Sequence, residues 1–224
     1  MSPVLQANNL AVSRQGVEVF GSLTFAVPAG QVSAIVGANG SGKTTFLEAT
    51  LGLLPFQGEL QVLGQVPPQA NRKIGYVSQG VDHYRTEFLR VRDLLTINQR
   101  SNTFDHDDEA FNLGVNTIKF HLDDRMSELS MGQAQKAAIV GALAGRPQVL
   151  FLDEPFSGLD PKSSTEIIEL LGRLNQEQQL SIFIVTHDIH KLEPILSSVL
   201  RFEDHRATYY PDLTEALHDE GHHA

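Results

Sequence analysis

A glycine-rich run at residues 37–45 contains the residue types that bind phosphate. Its members are Gly37, Ala38, Asn39, Gly40, Ser41, Gly42, Lys43, Thr44 and Thr45. They fit the pattern G-x-x-x-x-G-K-[ST] at every fixed position. Glycines let backbone N–H groups approach an anion closely, while Lys43 can reach the β- and γ-phosphates of a nucleotide and the Thr44 hydroxyl can hold Mg²⁺. A glycine-rich turn with a chance lysine is the alternative, and the strand-like and helix-like runs on either side disfavour it.

Two carboxylates end a second apolar run. Asp153 and Glu154 follow residues 149–152. An acid in this position can hold Mg²⁺ through water, and its neighbour can orient or deprotonate an attacking water molecule. The alternative is a pair of solubilising acids at a strand end. Gln79 and His187 each end a further apolar run; either residue alone is a weak signal, because a lone histidine is more often an ordinary core or surface residue.

These residues need a scaffold in which strands and helices alternate. Apolar or β-branched runs predict strands at residues 31–36, 58–64, 74–79, 149–154 and 180–186. Helical spacing predicts helices at 44–51, 87–99 and 163–175. Such alternation predicts an α/β fold with a mostly parallel sheet covered on both faces. Ligands of such sheets bind beyond the carboxyl ends of the strands, where Gly37, Gln79, Asp153 and His187 all fall.

The remaining segments are less regular. Residues 10–13 and 23–27 predict β-strands, with turns around 15–16 and 21–22. Residues 80–144 predict a mostly helical insertion, and the acid-rich residues 105–109 predict a solvated helix start rather than a metal site. A helix and two strands are expected before the C-terminus. Residues 218–224 predict a disordered polar tail, with weak metal binding through its histidines as the alternative.

Composition limits the function classes. The 224 residues carry a formal net charge of -10 and no cysteine. The acidic balance disfavours a nucleic-acid partner, and the absence of cysteine excludes a disulfide framework. No apolar run approaches the roughly 20 residues that span a bilayer, and the first residues lack the pattern of a signal peptide. We therefore expect a soluble chain that reaches a membrane only through a partner.

The sequence resembles the ATP-binding subunits of ABC transporters through most of its length. Residues 37–44 resemble the Walker A loop, 149–154 resemble Walker B with its catalytic glutamate, and Gln79 is placed like the Q-loop glutamine. Residues 129–133 are similar to the signature Leu-Ser-Gly-Gly-Gln, with Met131 in place of a glycine. Residues 157–160 resemble the D-loop, and His187 matches the switch histidine. Order and rough spacing agree with the family.

The resemblance implies a single ABC-type ATPase domain over residues 1–224. Residues 1–79 and 145–224 would form the catalytic core with an antiparallel β subdomain, and 80–144 the helical subdomain that docks a membrane partner. Two subunits, identical or paired, would pack head to tail around two ATP molecules with Mg²⁺. Each site would combine one subunit's phosphate loop with the other's signature residues, which are Ser130, Met131, Gly132 and Gln133.

The resemblance also implies residue roles. Glu154 would be the base, His187 would hold the γ-phosphate and the water, and Gln79 would sense the metal and relay to the membrane partner. Asp153 and Thr44 would hold the metal, and Asp160 would signal across the dimer. Arg14 occupies the position of the aromatic residue that stacks on adenine in the family; a guanidinium plane can stack in the same way, and Phe20 is the alternative.

The resemblance implies transport driven by ATP hydrolysis, at the cytoplasmic face of the cell membrane, through a separate transmembrane permease. A soluble assembly ATPase and a regulator that hydrolyses nothing are the alternatives. The spacing from Gln79 to residues 92–94 resembles that of zinc and manganese importers, whereas residues 153–161 are also similar to exporter subunits. Metal-ion import is the favoured reading, with export as its alternative.

Overall fold

The computed structural model describes residues 3–67, 69, 73–97, 112, 114, 121–203 and 206–220. Its strands are β1 (Pro3–Arg14), β2 (Val17–Pro28), β3 (Val32–Gly37), β4 (Gln57–Val62), β5 (Ile74–Val77), β6 (Val149–Asp153), β7 (Ser181–Val185), β8 (Ser198–Glu203) and β9 (Arg206–Tyr210). Its α-helices of four or more described residues are α1 (Lys43–Thr50), α2 (Val91–Ile97), α3 (Met131–Leu143), α4 (Pro161–Gln178) and α5 (Leu213–Glu220). Single turns of 3₁₀-helix lie at Met126–Glu128 and His190–Leu192.

The larger sheet has the spatial order β5-β6-β7-β3-β8-β9. Its first five strands run parallel, and β9 is antiparallel to β8. All five residues of β6 and of β7 are buried, as expected for strands covered on both faces. The prediction of a mostly parallel sheet is therefore confirmed. Because β5, β6, β7 and β3 are successive neighbours, their carboxyl ends lie side by side.

The smaller sheet is antiparallel, with the order β2-β1-β4. Its two long strands contain the predicted runs 10–13 and 23–27. The turn expected around 21–22 is wrong: both residues lie inside β2. Ser22 has a positive φ of 56°, and the pairing of β1 with β2 shifts register on either side of Leu10. Gly21 and Ser22 therefore mark a β-bulge-like irregularity within the strand, and the chain does not reverse there.

Two helix predictions need correction. The helix expected over 87–99 begins at Val91, after Phe88, whose side chain is 94% exposed rather than part of an apolar face. Residues 213–220 form α5, so the tail expected to be disordered is helical as far as Glu220. The acid-rich run 105–109 and residues 221–224 lie outside the described residues.

Two apolar clusters cover the two faces of the larger sheet. Alternate residues of β6 divide between them: Leu150 and Leu152 join a cluster with α3 and α4, whereas Val149 and Phe151 join one with α1 and the smaller sheet. The sheet is thus the middle layer, which fixes its carboxyl edge. No helix in the described ranges is long and apolar enough to cross a membrane.

Candidate active site

The glycine-rich loop joins β3 to α1 in a tight turn. Gly37 has a φ of 149°, and a Cβ atom there would lie 2.3 Å from the carbonyl oxygen of Phe202 on β8. The Ser41 N–H donates to the Ala38 carbonyl at 3.1 Å, and the Phe46 N–H donates to the Gly42 carbonyl at 2.8 Å to open the helix. Only glycine fits at position 37, because the loop starts against the backbone of a neighbouring strand.

Lys43 is held inside this turn. Its Nζ donates to the carbonyl oxygens of Gly37 at 2.8 Å and Ala38 at 2.9 Å, and the residue is only 8% exposed. Burial lowers the pKa of Lys43, and the nearby carboxylates of Glu154 and Asp153 act in the opposite direction. The ammonium group thus lies within the loop, where incoming phosphate oxygens can replace the two carbonyl partners.

Asp153 ends β6 facing the same space. It is 4% exposed; burial raises its pKa, the Glu154 carboxylate raises it further, and Lys43 lowers it. Tyr76 lies on the adjacent strand β5. Its burial, together with the negative charge of Asp153, raises the pKa of Tyr76 to about 12. A buried carboxylate whose charge is poorly compensated is suited to a cation.

Glu154 has an unusual backbone. Its φ is 46°, a left-handed conformation that is uncommon for a side chain of this size. The Glu154 N–H donates to the Val185 carbonyl at 3.0 Å, so β7 holds the strained turn in place. Oε2 of Glu154 lies 3.1 Å from Nδ1 of His187, with 15% of the Glu154 side chain and 73% of the His187 side chain exposed. The imidazole thereby orients the carboxylate.

Two cavities flank the loop. The smaller, of about 250 Å³, is lined by Arg14, Asn39, Gly40, Gly42, Lys43, Thr44, Thr45, Gln79, Asp153, Glu154 and Val185. The larger, of about 650 Å³, is lined by Val36, Gly37, Ala38, Asn39, Gly40, Ser41, His187, Ile189, Arg201, Phe202 and Glu203. Asn39 and Gly40 border both. Because the smaller cavity gathers Lys43 and the two acids, it is the better candidate for the reacting centre.

The residues of this cavity fit a magnesium nucleotide. Thr44, Gln79 and Asp153 all line it and supply hydroxyl, amide and carboxylate oxygens, which are the ligands that Mg²⁺ prefers. The Ser41 hydroxyl oxygen is buried in the loop and has no hydrogen-bond partner among the described residues. A phosphate oxygen would satisfy such a donor.

Arg14 lies at the end of β1 on the rim of the same cavity. It forms an ion pair with Glu48 of α1 at 3.2 Å, and 54% of its side chain is exposed. Phe20, the alternative for the base contact, is fully buried and packs against Phe46 and Phe202. Arg14 is thus the one of these two candidates that a base can reach.

Ser130, Met131, Gly132 and Gln133 lie at the start of α3, and none of them lines either cavity. Ser130 caps the helix: its hydroxyl accepts from the Gln133 N–H at 3.2 Å, and the Gln133 side chain accepts from the Ser130 N–H at 2.9 Å. This reciprocal pair is a capping box. A Cβ atom on Gly132 would lie 2.3 Å from the Ser163 hydroxyl oxygen, so α3 starts in close contact with α4.

Asp160 caps α4. Its carboxylate accepts from the Ser163 N–H at 3.0 Å and from the Ser163 hydroxyl at 2.6 Å. Those bonds lower the pKa of Asp160. Within the described structure, the residue expected to signal between subunits therefore also fixes the helix against which the Ser130–Gln133 segment packs.

Sequence reasoning missed two contributors. Arg85 donates from Nη2 to the Leu129 carbonyl at 2.9 Å, and Ser163 connects Asp160 with Gly132. The Ser163 contact had a signal, because an aspartate followed by proline, as at Asp160-Pro161, is typical of a capped helix start. The Arg85 contact spans 44 residues of chain, and no local pattern predicts it.

The sequence is similar to a known protein family and to individual proteins of that family. Residues 20–157 match the family model described as ABC transporter. The chain is 32% identical over 204 residues to the zinc import ATP-binding protein ZnuC of Ruegeria pomeroyi, covering 91% of this chain and 77% of that one. It is 33% identical over 213 residues to the methionine import ATP-binding protein MetN of Chlamydia pneumoniae, covering 89% and 62%.

The fold has solved counterparts. CbiO1 from Clostridium perfringens, described as part of the ABC transporter complex CbiONQ, superposes with a TM-score of 0.86 at 25% identity, covering 98% of this chain and 92% of that chain. The fold of this chain therefore belongs to a known architecture.

Proposed function

The chain belongs to the ABC transporter family, and we propose that it is the ATP-hydrolysing subunit that drives import of a metal ion through a separate membrane-spanning partner. One observation carries the ATPase part: Lys43, Asp153 and Glu154 line one cavity, and His187 lies 3.1 Å from Glu154. Phosphate binding, metal binding and a base are thus gathered within one small space.

Residues 37–45 bind the phosphates of ATP. Lys43 exchanges the carbonyl oxygens of Gly37 and Ala38 for β- and γ-phosphate oxygens, and the start of α1 adds the positive end of a helix. Thr44, Asp153 and Gln79 are the candidate ligands for Mg²⁺, which supplies charge neutralisation on the phosphates when bound. Arg14 covers the adenine.

Glu154 acts as the general base. One carboxylate oxygen contacts His187, which leaves the other free to take a proton from water as the water oxygen attacks the γ-phosphorus and ADP leaves. His187 keeps the carboxylate in position and, being largely exposed, can also reach the γ-phosphate. The strained backbone of Glu154 directs its side chain towards the cavity.

The second half of each site comes from another ATPase subunit, either an identical copy or a paired one. Ser130, Met131, Gly132 and Gln133 start a helix of 13 residues, whose N-terminal end favours an anion. Because they line neither cavity of their own chain, they are available to a neighbour's γ-phosphate. Asp160 links this surface to the rest of the subunit.

We also propose a division of the chain into two subdomains. Residues 1–79 and 145–224 form the catalytic core with the antiparallel β subdomain, and 80–144 form the helical subdomain that docks the permease. Within 80–144, Phe88 is 94% exposed and Leu122 is 41% exposed. Arg90 and Arg92 follow Phe88 in the sequence, and the Arg92 N–H donates to the Leu122 carbonyl at 2.9 Å. An apolar cytoplasmic helix of the permease fits such a surface, which would hold the chain peripherally on the cytoplasmic face of the membrane.

A metal ion is the favoured cargo. The spacing from Gln79 to residues 92–94 and the similarity to a zinc import subunit support it. The similarity to a methionine import subunit supports methionine as the alternative cargo. A soluble assembly ATPase and an exporter subunit remain the other candidates, and each predicts a different outcome of the uptake experiment.

The test is uptake by cells that produce the chain with its native permease. Zinc, manganese and methionine uptake are measured with the unaltered chain and with Lys43→Ala, in a host whose own copy is deleted. We expect zinc or manganese uptake to be restored by the unaltered chain and lost with Lys43→Ala. Methionine uptake alone, or metal efflux, overturns the metal-import proposal, and a chain that hydrolyses ATP but changes neither uptake nor efflux favours the assembly factor.

A further inference from the structure

Arg85 joins two segments that the sequence keeps far apart. It lies six residues after Gln79, and 30% of its side chain is exposed. Its Nη2 donates to the Leu129 carbonyl at 2.9 Å, and its Nη1 lies 3.3 Å from the sulfur of Met131. Arg85 lines neither cavity beside the loop, so we do not expect it to contact the nucleotide of its own chain.

The first turn of α3 has a second contact. Gly132, the residue after Met131, packs directly on Ser163 of α4, because a Cβ atom at position 132 would lie 2.3 Å from the Ser163 hydroxyl oxygen. The first turn of α3 is therefore clamped between the segment that follows Gln79 and the segment that includes Asp160.

The side chain of Met131 makes this clamp possible. A methionine is long, flexible and polarisable, and its sulfur is a weak hydrogen-bond acceptor. The glycine that the resemblance leads one to expect at position 131 has no side chain with which to reach Arg85. Hydrogen bonds from a guanidinium group are charge-assisted and about twice as strong as neutral ones. Met131, which stands where the resemblance predicts a glycine, thus has Arg85 as its contact partner.

We propose that Arg85 and Met131 together are positioning residues that fix the first turn of α3 relative to the Gln79 segment. The proposal rests on the proposed function, because it assumes that this turn completes a neighbour's ATP site. Gln79 lines the chain's own reacting cavity, and Arg85 lies on the same segment. Events at one ATP site are thereby transmitted within the chain to the residues offered to the other site.

The first experiment replaces Arg85. Arg85→Ala should lower ATP turnover about tenfold, which corresponds to loss of one charge-assisted hydrogen bond, and should raise the ATP concentration needed for half-maximal turnover. Nucleotide affinity of the isolated chain should stay within about twofold, because Arg85 lines neither cavity. Arg85→Lys should recover only part of the turnover, since one ammonium group cannot reproduce the guanidinium fork.

Arg173→Ala is the matched control. Arg173 forms an exposed ion pair with Glu177 on α4, at 2.9 Å, and has no place in the proposed clamp. It should leave turnover unchanged. Unfolding midpoints of all variants are measured alongside, so that a general loss of stability is recognised, and Met131→Leu, which keeps the volume but lacks the sulfur, serves where Arg85→Ala folds poorly.

The second experiment is a double-mutant cycle with Met131→Gly. Restoring the family's glycine should lower turnover here, and the double variant should be no worse than the worse single variant, because both changes remove the same clamp. Independent effects would multiply. Multiplying effects, or Met131→Gly with turnover at or above the unaltered level, overturn the proposal. An unaltered chain that hydrolyses no ATP overturns the proposed function itself. Normal turnover in Arg85→Ala overturns only the proposal about Arg85 and Met131.

Discussion

His187 and Glu154 meet across the carboxyl ends of two neighbouring strands, with Nδ1 of the histidine 3.1 Å from Oε2 of the glutamate. The contact exists because β6 and β7 run parallel, with Asp153 paired to Val185. Glu154, one residue after Asp153, and His187, two residues after Val185, therefore emerge at the same edge of the sheet. A histidine that is largely exposed thereby holds a carboxylate that is largely buried. This contact supports our proposal that His187 orients the base in addition to contacting the phosphate.

Glu154→Gln should keep ATP binding and stop turnover. The amide preserves the size of the side chain and can still bond to His187, but it cannot accept a proton from water. General-base catalysis contributes roughly 10²–10⁴-fold, so turnover should fall by that factor, and a subunit dimer should accumulate with ATP. Steady-state hydrolysis and size-exclusion chromatography measure the two effects.

The companion variant is His187→Ala, which should reduce turnover less than Glu154→Gln. Because both residues serve one group, the double variant should be no slower than Glu154→Gln alone. A Glu154→Gln chain that hydrolyses ATP at the unaltered rate would show that the base is a different residue.

Asp153→Asn should abolish magnesium-dependent hydrolysis yet stabilise the chain at neutral pH without nucleotide. Burial raises the pKa of Asp153 in the folded state, so its stability contribution is fully present below the unfolded pKa of about 3.9 and is lost as pH rises through the folded pKa. Asparagine never carries the penalised charge. The unfolding midpoint of the variant should exceed that of the unaltered chain at pH 7, and the difference should shrink as pH falls towards 4.

Asp212→Asn is the control with the opposite sign. The Thr214 N–H donates to the Asp212 carboxylate at 2.6 Å and lowers the pKa of that group, so removing its charge should give no stabilisation at pH 7. Equal midpoints for Asp153→Asn and the unaltered chain at neutral pH would mean that Lys43 fully compensates the buried carboxylate.

The sequence predicted the elements whose signals are local. Continuous apolar runs located β3, β6 and β7, and the glycine pattern located the loop between β3 and α1. The predicted start of α2 was wrong because Phe88 fits an apolar helical face by its spacing but is exposed in the fold. Local periodicity cannot report such exposure, which depends on how distant segments pack.

Some features of the candidate site were likewise predictable from the sequence, and others were not. Lys43 and Asp153 follow from motif and position, whereas the contact of Arg85 with Leu129 depends on packing between segments 44 residues apart. The positive φ of Glu154 is likewise invisible in a sequence, since glutamate has no preference for it and the Val185 carbonyl enforces it. Contacts of this kind become predictable only once the topology is known.

Arg14→Ala should weaken ATP binding without lowering stability. The ion pair with Glu48 is exposed at the arginine end, and such pairs contribute about 0–1 kcal/mol, so the unfolding midpoint should change little. ATP affinity should fall about three- to tenfold, which corresponds to loss of one stacking contact of roughly 1 kcal/mol. Calorimetric titration measures the affinity.

Inorganic triphosphate separates the base contact from the phosphate contact. Its affinity should be the same for Arg14→Ala and the unaltered chain, because it has no base to stack. Arg14→Lys keeps the charge but not the planar group, and should bind ATP nearly as weakly as the alanine variant. An equal loss of triphosphate affinity would assign Arg14 to phosphate binding instead.

Gly132→Ala should uncouple the two halves of the ATP site. The added methyl group would lie 2.3 Å from the hydroxyl oxygen of Ser163 and 2.6 Å from its Cβ, so the first turn of α3 must move. A displacement of about 1 Å in a positioned group can cost roughly 10²-fold in rate. Turnover should fall by about that factor, while nucleotide affinity of the isolated chain stays unchanged, since Gly132 lines neither cavity.

Ser163→Gly in the same chain gives the decisive comparison. It removes both clashing atoms and leaves Cα of residue 163 at 3.8 Å from the new methyl group, so the double variant should recover much of the lost turnover. Ser163→Gly alone keeps the backbone N–H that donates to Asp160 and shows the cost of the missing hydroxyl. A double variant as slow as Gly132→Ala would mean that the lost activity comes from the phosphate-facing side of Gly132 and not from its packing on α4.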